Sequence, residues 1–466
     1  MSKLLRRPKD KPSVDDNGRY ERFYLTENPF PTEPVNKYST DRRINGGIYE
    51  SEIRTKEFNL VKDAYLKKPQ SDRNRLRLGY ICDKSYIGRG NGKSAFLVNL
   101  AQYINNDYCL DISDELNKCF AIYVVPQPGG RTKTFPGFVD LIFESMISSG
   151  IIDFSLASLR LSAATNLYPG KDFLDLVQDE DNIVKRINSE GWLREQKVDN
   201  INLTAEIHKN PYLQSLPNDF PLMTGSQFLI KPFVTAKDFH DYYYETVRKG
   251  RPRLEFVFSH LVHMFSAAGF NGAYILVDDF ERIPDFQSSR QRKDFAIELR
   301  SALLDGPYTS AHTGFYNMLL VLHAGVPQLI NEAWSSSGLG NRYPITPKIE
   351  SSHWIAFEKL SREHVTLLLK KYLDAYRVNQ TSINDLVPFK AEAISIIAEI
   401  NEYNAAKILR ACWDLLEKAA DEPDRTIIDE QFVRDKVEGQ AYGSSEQEPT
   451  IDDPDATDLI KKAKGD

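Results

Sequence analysis

Apolar segments typical of buried strands alternate with amphipathic helices from residue 77 onward. The first such unit is a strand, LRLGYICDKS, a glycine-rich segment, YIGRGNGKS, and a helix, AFLVNLAQYINN, with Leu97, Leu100, Ala101 and Ile104 on one face. A second strand, CFAIYVVPQ, is predicted over residues 119–127. The pattern returns later with a helix, RLEFVFSHLVHMFSAAGF, a strand, GAYILVDDF, a helix, RQRKDFAIELRSALLD, and a strand, NMLLVLHAG. This alternation predicts an α/β fold with a parallel sheet and helices on both faces, a three-layer αβα core.

Two regions depart from this alternation. Residues from about 150 to 250 contain a polar stretch, HKNPYLQSLPNDFP, and an aromatic run, DFHDYYYETVRK, and they separate the second strand from the third by more than an ordinary crossover needs. We therefore expect an inserted, mainly helical subdomain there. Three amphipathic helices with polar connections then predict a small C-terminal bundle. The expected domains are a disordered basic arm over 1–20, a lead-in segment over 21–75 that packs on the core, the α/β core over 76–353, a helical domain over 354–440 and a disordered acidic tail over 441–466.

Composition and charge narrow the class of protein. Of the 466 residues, 41% are hydrophobic and 27% are charged, which is ordinary for a folded soluble protein. The net charge of -7 does not indicate DNA or anionic lipid as a partner, so any contact with DNA would be local. Cys82, Cys109, Cys119 and Cys412 form no CxxC motif, which argues against a zinc site and a disulfide framework. Because the chain has no run of about 18 apolar residues and no apolar signal region, we expect a cytoplasmic protein without a membrane segment.

The segment GRGNGKS, residues 88–94, lies between a predicted strand and a predicted helix, as phosphate-binding loops do. Its glycines let the backbone turn N–H groups inward as a nest for an anion, and the beginning of the helix adds its positive dipole end. Lys93 would then reach the β- and γ-phosphates of ATP, while the Ser94 hydroxyl would take one Mg²⁺ coordination position. Ile87 stands where the usual GxxxxGK[ST] pattern has its first glycine, and the alternative is a glycine-rich turn that binds nothing. The predicted nucleotide contacts are Gly88, Arg89, Gly90, Asn91, Gly92, Lys93, Ser94 and Ala95.

A pair of carboxylates ends the predicted strand AYILVDD, residues 273–279. The carboxyl end of a central parallel strand faces the ligand crevice, so these carboxylates are expected beside the phosphate loop. Asp278 would hold Mg²⁺, usually through water, and Asp279 would orient or activate the attacking water. Glu281 and Arg282 would pair with each other or with a neighbouring subunit. The alternative is that both aspartates only cap the end of the strand.

Five segments of the chain resemble the corresponding parts of AAA+ P-loop ATPases and follow one another in the same order. They are GRGNGKS, VDDFERI, LLVLHAG, GNRYPITPKIESSHWIAFEKLSREHV and NAAKILRACWDLL. The resemblance covers residues 25–420 apart from the 150–250 region. It is closest to the initiator and origin-recognition-like group, which has relatives among STAND-type ATPases of prokaryotic defence and mobile elements. The upstream segment ENPFP also resembles the lead-in segment of the initiator group. The resemblance implies ATP as the substrate, Mg²⁺ as the cofactor, ATPase activity and a lid formed by the C-terminal helices.

The resemblance also implies roles for residues outside the two motifs. His323 falls where the family has its first polar sensor, and Arg342 falls where it often has the arginine finger that reaches a neighbouring subunit. Lys407 falls at the second sensor, with Arg410 as the fallback. The alternatives are a hydrogen-bonded core histidine and solvated surface cations. The chain has Asp-Asp where the family usually has Asp-Glu, and the shorter second side chain implies slow water activation.

Three functions are compatible with these expectations. In the first, the chain is an ATPase whose nucleotide state controls formation of a homo-oligomer or recruitment of a protein effector, as in prokaryotic antiviral defence or DNA-transaction systems. In the second, it binds ATP, scarcely hydrolyses it, and acts as a scaffold through the 150–250 region. In the third, it is a DNA-loading initiator, although the residues after the lid are too few for the winged-helix domain that such initiators often carry.

Overall fold

The computed structural model describes residues 18–67, 76–84, 89–108, 118–173, 183–223, 234–323, 325–346, 351–378 and 386–441. These residues form two compact units. The larger unit extends from Val35 to Lys359, and the smaller, helical unit combines the residues before Val35 with those after Lys359. The lead-in segment expected over 21–75 is therefore divided between the two units. The expected arm and tail lie outside the described residues except at residues 18–20 and at residue 441.

Within the described part of the larger unit, five strands form one sheet. They are β1 (Leu78–Asp83), β2 (Cys119–Val124), β3 (Gly272–Val277), β4 (Tyr316–Leu322) and β5 (Trp354–Phe357), in the order β2-β3-β4-β1-β5 across the sheet. Every neighbouring pair is parallel, which confirms the predicted α/β fold with a parallel sheet. Tyr80 of β1 lies opposite Leu320 of β4, and Ile275 of β3 lies opposite Met318. The carboxyl ends of these three strands therefore meet at one edge.

The strand β5 was not predicted from the sequence. It has four residues, too few for apolar periodicity to distinguish a strand from a helix. Its Ile355 pairs with Ile81 of β1, and both Ile355 and Phe357 are buried. The sheet therefore extends to Phe357, into the stretch that the sequence pattern assigns to the helical domain.

Helices cover both faces of the sheet. Successive strand residues point to opposite faces, and on β1 Tyr80 and Cys82 belong to one apolar cluster whereas Ile81 belongs to another. The helices described in this unit are α1 (Thr55–Val61), α2 (Lys93–Gln102), α3 (Phe135–Ser148), α4 (Ile151–Leu167), α5 (Ile183–Ile187), α6 (Glu190–Gln196), α7 (Asn200–His208), α8 (Ala236–Asp241), α9 (Arg251–Glu255), α10 (Leu261–Ala267), α11 (Ser289–Arg300), α12 (Thr309–Thr313), α13 (Val326–Ser337) and α14 (Leu339–Arg342).

In the described part of residues 150–250 the regular elements are helical. A separate apolar cluster around Trp192 joins α4 to α5, α6 and α7. The cap of α6 is the Ser189 hydroxyl, which accepts the Trp192 N–H at 3.3 Å. Across the described ranges, no individual helix is both long and apolar enough to cross a bilayer, and α3 with α4 meets that criterion only as a pair bent by 57°.

The smaller unit is built from four described helices and the N-terminal segment. The helices are α15 (Arg362–Asp374), α16 (Ala391–Ile400), α17 (Ala405–Asp421) and α18 (Glu430–Ala441). The N-terminal segment contacts the end of α17, where the Arg22 guanidinium donates to the carbonyl oxygens of Ala419 and Pro423 at 2.9 and 2.7 Å. A cation at a helix C-terminus is stabilised by the helix dipole. Asn28 also donates to Glu417 Oε1 at 2.7 Å, so side chains far apart in the sequence hold this unit together.

Candidate nucleotide-binding site

The predicted phosphate loop connects β1 to α2 at the carboxyl edge of the sheet. Gly88 lies outside the described residues, whereas Gly90 and Gly92 have φ values of 106° and 84°. These are left-handed conformations that strain residues with a side chain. A Cβ added at Gly92 would meet no heavy atom within 4 Å, so backbone conformation is what requires glycine there. Because α2 begins at Lys93, the loop leads into the first N–H groups of a helix, which have no partner within the helix and form a favourable site for an anion.

Lys93 forms an ion pair with Asp83, the last residue of β1. Both side chains are buried, with 4% and 1% of their surfaces exposed. Asn91 of the loop donates its amide N–H to the other Asp83 oxygen, Oδ1, at 2.9 Å. Asp83 was not predicted from the sequence, although a charged residue at the end of an apolar strand was a usable signal. The pair neutralises the lysine at the place where a phosphate would require its charge.

Arg54, from the segment before α1, supports the same loop. Its buried guanidinium donates to the carbonyl oxygens of Asn91 and Glu358 at 3.1 and 3.0 Å and pairs with Glu57 at 3.4 Å. It also lies over the Phe357 ring, 4.4 Å from the centroid. These contacts join the phosphate loop to the end of β5. No sequence motif indicated this role for Arg54.

Asp278 follows β3 and lies against α2. Its Oδ2 accepts the hydroxyl proton of Tyr123 at 2.6 Å. Its Oδ1 accepts the backbone N–H of Asp279 at 3.0 Å. Burial raises the pKa of Asp278, and the neighbouring hydroxyls of Tyr123 and of Ser94, in the first turn of α2, oppose that increase. Ser94 and Asp278, the two predicted metal ligands, thus lie close together.

These residues fit a magnesium nucleotide by their chemistry. Mg²⁺ prefers oxygen ligands and is usually bound through one or two protein oxygens with the substrate phosphates completing its shell. The Ser94 hydroxyl and the Asp278 carboxylate offer oxygen atoms of this kind, and Lys93 precedes Ser94 in the same helical turn. Gly90 and Gly92 supply the backbone conformation that an anion nest needs.

A second group of charges lies beside Asp278. Asp279 has a φ of 46°, an uncommon conformation for a residue with a side chain, and its carboxylate pairs with Arg282. His323, immediately after β4, places Nε2 3.0 Å from Glu281 Oε1 and 3.7 Å from Asp279 Oδ1. Arg89 of the phosphate loop reaches the same Glu281 oxygen at 3.1 Å. The structure therefore brings Asp279 and His323 together and adds Glu281, which had been expected to pair with Arg282 or another subunit.

The pKa values in this group follow from its ion pairs. Contacts with Asp279 and Glu281 raise the pKa of His323 to about 9, so the imidazole is protonated at neutral pH. The contact with His323, followed by the charge of Arg282, lowers the pKa of Asp279. The ligand atoms of Asp279, Glu281 and His323 lie within 4.8 Å of one another, a spacing that a metal ion could bridge. Three cations, Arg89, Arg282 and protonated His323, already outnumber the two carboxylates, so we interpret the group as a charge network.

The remaining predicted residues lie elsewhere. Arg342 is exposed at the end of α14, beside Tyr343, whose hydroxyl oxygen accepts the backbone N–H of Arg77 at the start of β1. That is the end of β1 opposite to the phosphate loop. Lys407 and Arg410 are exposed on α17 of the helical unit, and Lys407 pairs with Glu402 at 3.2 Å. The proposed finger and second-sensor roles of these residues stay predictions.

Known proteins offer little similarity to this chain. No protein-family model and no curated protein matches it. Among solved structures, the chain is similar to the Aeropyrum pernix ORC2 protein in its ADPNP–ADP complexes, with 10% sequence identity and a TM-score of 0.38. That similarity covers 89% of this chain and 71% of the other. The function of this protein is therefore inferred from its own fold, an α/β unit with a parallel sheet, and from the side chains at the edge of that sheet.

Proposed function

We propose that the chain binds ATP with Mg²⁺ between the phosphate loop and the end of β3. The observation that carries this proposal is the proximity of the Ser94 hydroxyl to the Asp278 carboxylate, whose pKa it lowers. It joins two motifs that are far apart in the sequence and that separately predict a phosphate site and a metal site. Lys93 lies in the same helical turn as Ser94 and supplies the positive charge for the phosphates.

Each side chain has a separate task in this proposal. The N–H groups of the loop and the Lys93 ammonium bind phosphate oxygens, and Lys93 exchanges part of its contact with Asp83 for them. Ser94 and Asp278 hold the metal ion. When bound, Mg²⁺ neutralises charge on the phosphate oxygens. Protonated His323 adds a positive charge next to Asp279, where the attacking water would lie.

The contacts of Asp279 favour slow hydrolysis. A general base is most effective when its pKa lies near the working pH, whereas the pKa of Asp279 is lowered by His323 and Arg282. Its carboxylate must also leave or share the Arg282 ion pair before it can orient a water. A nucleotide-dependent switch or scaffold with little turnover is therefore the second candidate function. In either case, we propose that the exposed Arg342 acts on a neighbouring copy in a homo-oligomer.

Nucleotide binding tests the proposal directly, by calorimetric titration of the full chain with ATP and Mg²⁺. We expect Lys93→Ala to lower the affinity by at least about tenfold, because it removes a charged donor to the phosphates. Lys209→Ala is the matched control, since this exposed lysine pairs with Glu206 at 2.7 Å on the end of α7. Equal affinity in the parent and in Lys93→Ala, or no binding by the parent, would refute the nucleotide site.

Phosphate release by the same samples separates the two candidates. An ATPase activated by assembly has a rate per chain that rises with protein concentration and falls in Arg342→Ala. A switch binds ATP without measurable release. If the rate per chain is constant on dilution and unchanged in Arg342→Ala, hydrolysis does not depend on a neighbouring copy.

A further inference from the structure

Tyr123 contacts the predicted metal ligand directly, although no sequence motif singles it out. It precedes the last residue of β2, and its hydroxyl donates to Asp278 Oδ2 at 2.6 Å. Tyr123 and Asp278 are buried, with 5% and 4% of their surfaces exposed. A buried hydrogen bond from a neutral donor to a carboxylate is strong and orders both partners.

The hydrogen bond from Tyr123 limits which carboxylate oxygen can bind a metal ion. A carboxylate has about four acceptor positions, and Asp278 already uses one on Oδ1 for the Asp279 N–H and one on Oδ2 for Tyr123. The Ser94 hydroxyl, itself a proposed metal ligand, lies close to the same carboxylate. A cation held by Ser94 therefore meets a carboxylate that is pinned at both oxygens and cannot easily offer both of them at once.

Cations differ in how they use a carboxylate. Mg²⁺ requires nearly octahedral geometry and binds through one or two single oxygens and water, whereas Ca²⁺ takes six to eight ligands and readily accepts both oxygens of a carboxylate. We propose that Tyr123 is a positioning residue that selects Mg²⁺ over Ca²⁺ by holding Asp278 Oδ2 away from the metal. This inference rests on the proposed function, and it requires that Asp278 binds the nucleotide-bound ion directly rather than through water.

Lys37 supports the same phenol from the segment before α1. Its Nζ lies 5.5 Å from the centroid of the Tyr123 ring. A positive charge over an aromatic ring draws electron density from it and makes the phenol hydroxyl a better donor. A substitution of Lys37 can therefore weaken the hydrogen bond from Tyr123 to Asp278 while both of its partners are retained.

The test measures the apparent affinities for Mg²⁺ and for Ca²⁺ on the full chain, by titrating each ion into the protein with a fluorescent ATP analogue after chelation. In Tyr123→Phe we expect the Mg²⁺ affinity to fall about tenfold and the Ca²⁺ affinity to stay the same or rise. Affinity for the analogue in the presence of chelator should not change. The matched control is Tyr274→Phe on β3, which removes a buried hydroxyl that donates to the Tyr65 carbonyl oxygen at 2.9 Å.

The outcomes separate this inference from the proposed function. If the parent shows no dependence of nucleotide binding on a divalent ion, the proposed function fails and this inference fails with it. If the parent does depend on Mg²⁺ but Tyr123→Phe changes both ions equally or neither, the selectivity role of Tyr123 is overturned. Should Tyr123→Phe fold poorly by circular dichroism, Lys37→Met must lower the ratio of Mg²⁺ to Ca²⁺ affinity in the same direction, by about twofold. An unchanged ratio in Lys37→Met would then overturn the proposal.

Discussion

The two halves of the candidate site are built differently, although they lie on one edge of one sheet. The inner group is buried except for the half-buried Ser94, and it is held by hydrogen bonds and one ion pair. The outer group contains mostly ion pairs and is more exposed, with 72% of the Arg89 side chain and 20% of the His323 side chain accessible, around a buried Glu281. The inner group consists of Asp83, Asn91, Lys93, Ser94, Tyr123 and Asp278, and the outer group consists of Arg89, Asp279, Glu281, Arg282 and His323.

The charge of the two groups has opposite sign. The inner group has one cation against two carboxylates and a formal charge of -1. With His323 protonated, the outer group has three cations against two carboxylates and a formal charge of +1. A metal ion is therefore attracted to the inner group, and the outer group adds positive charge beside the phosphate oxygens that the loop and Lys93 would bind. Glu281 is 4% exposed, and within the described ranges its Oε2 has no hydrogen-bond partner, which leaves an acceptor for a water or a ligand.

The largest effect is expected from breaking the inner ion pair. Lys93→Met leaves the Asp83 carboxylate buried opposite an apolar side chain, and we expect the free energy of unfolding to fall by about 3 kcal/mol. The double variant Asp83→Asn with Lys93→Met should recover most of that loss, because no unpaired charge remains. Urea denaturation of the parent, both single variants and the double variant measures the coupling.

An exposed ion pair provides the control for this cycle. Lys407 and Glu402 have 57% and 62% of their side chains exposed, so Lys407→Met should change the free energy of unfolding by less than about 0.5 kcal/mol. If Lys93→Met lowers the free energy of unfolding as little as Lys407→Met does, the Lys93–Asp83 pair is effectively solvated and does not differ from the exposed pair.

The contribution of the outer group to the free energy of unfolding should depend on pH. The pKa of His323 is raised from its ordinary 6.5 to about 9 in the folded chain, so its ion pairs stabilise the fold fully below pH 6.5. That stabilisation is lost as the pH rises through about 9. The difference in unfolding free energy between the parent and His323→Asn should therefore shrink by roughly 3 kcal/mol between pH 6 and pH 10.

Urea denaturation at several pH values measures this difference. His312→Asn is the control, because His312 is exposed at the end of α12. A difference between the parent and His323→Asn that is independent of pH would show that His323 stabilises the fold by packing rather than by charge.

The sequence could predict the residues that stand in a recognisable local motif, but not those whose role depends on contacts made in the folded chain. Ser94 and Asp278 could be predicted from the sequence, because a glycine loop before a helix and an apolar strand followed by a carboxylate indicate a functional site from local context alone. The role of Tyr123 could not be predicted from the sequence, since a tyrosine within the apolar run CFAIYVV is typical of a core residue. The partners of Glu281 also depend on strand register, which brings Arg89 and His323 together from different loops. The parallel sheet was predictable from alternation, except for the four-residue β5.

The smallest effect tests whether the outer group acts as one network. Arg89→Ala removes a positive charge that lies 3.1 Å from Glu281 Oε1, an oxygen that His323 also contacts. The negative charge that His323 experiences then increases, so its pKa should rise further, by a few tenths of a unit for a largely exposed arginine. The imidazole signals of His323 in an NMR titration measure this change. Arg290→Ala, at a side chain that is 92% exposed and lies 3.8 Å from Asp294, should leave them unchanged. Because Arg89 lies in the phosphate loop, an increase would show that the loop and the end of β4 are coupled through Glu281, whereas an unchanged or lowered pKa would mean that the two ion pairs are independent.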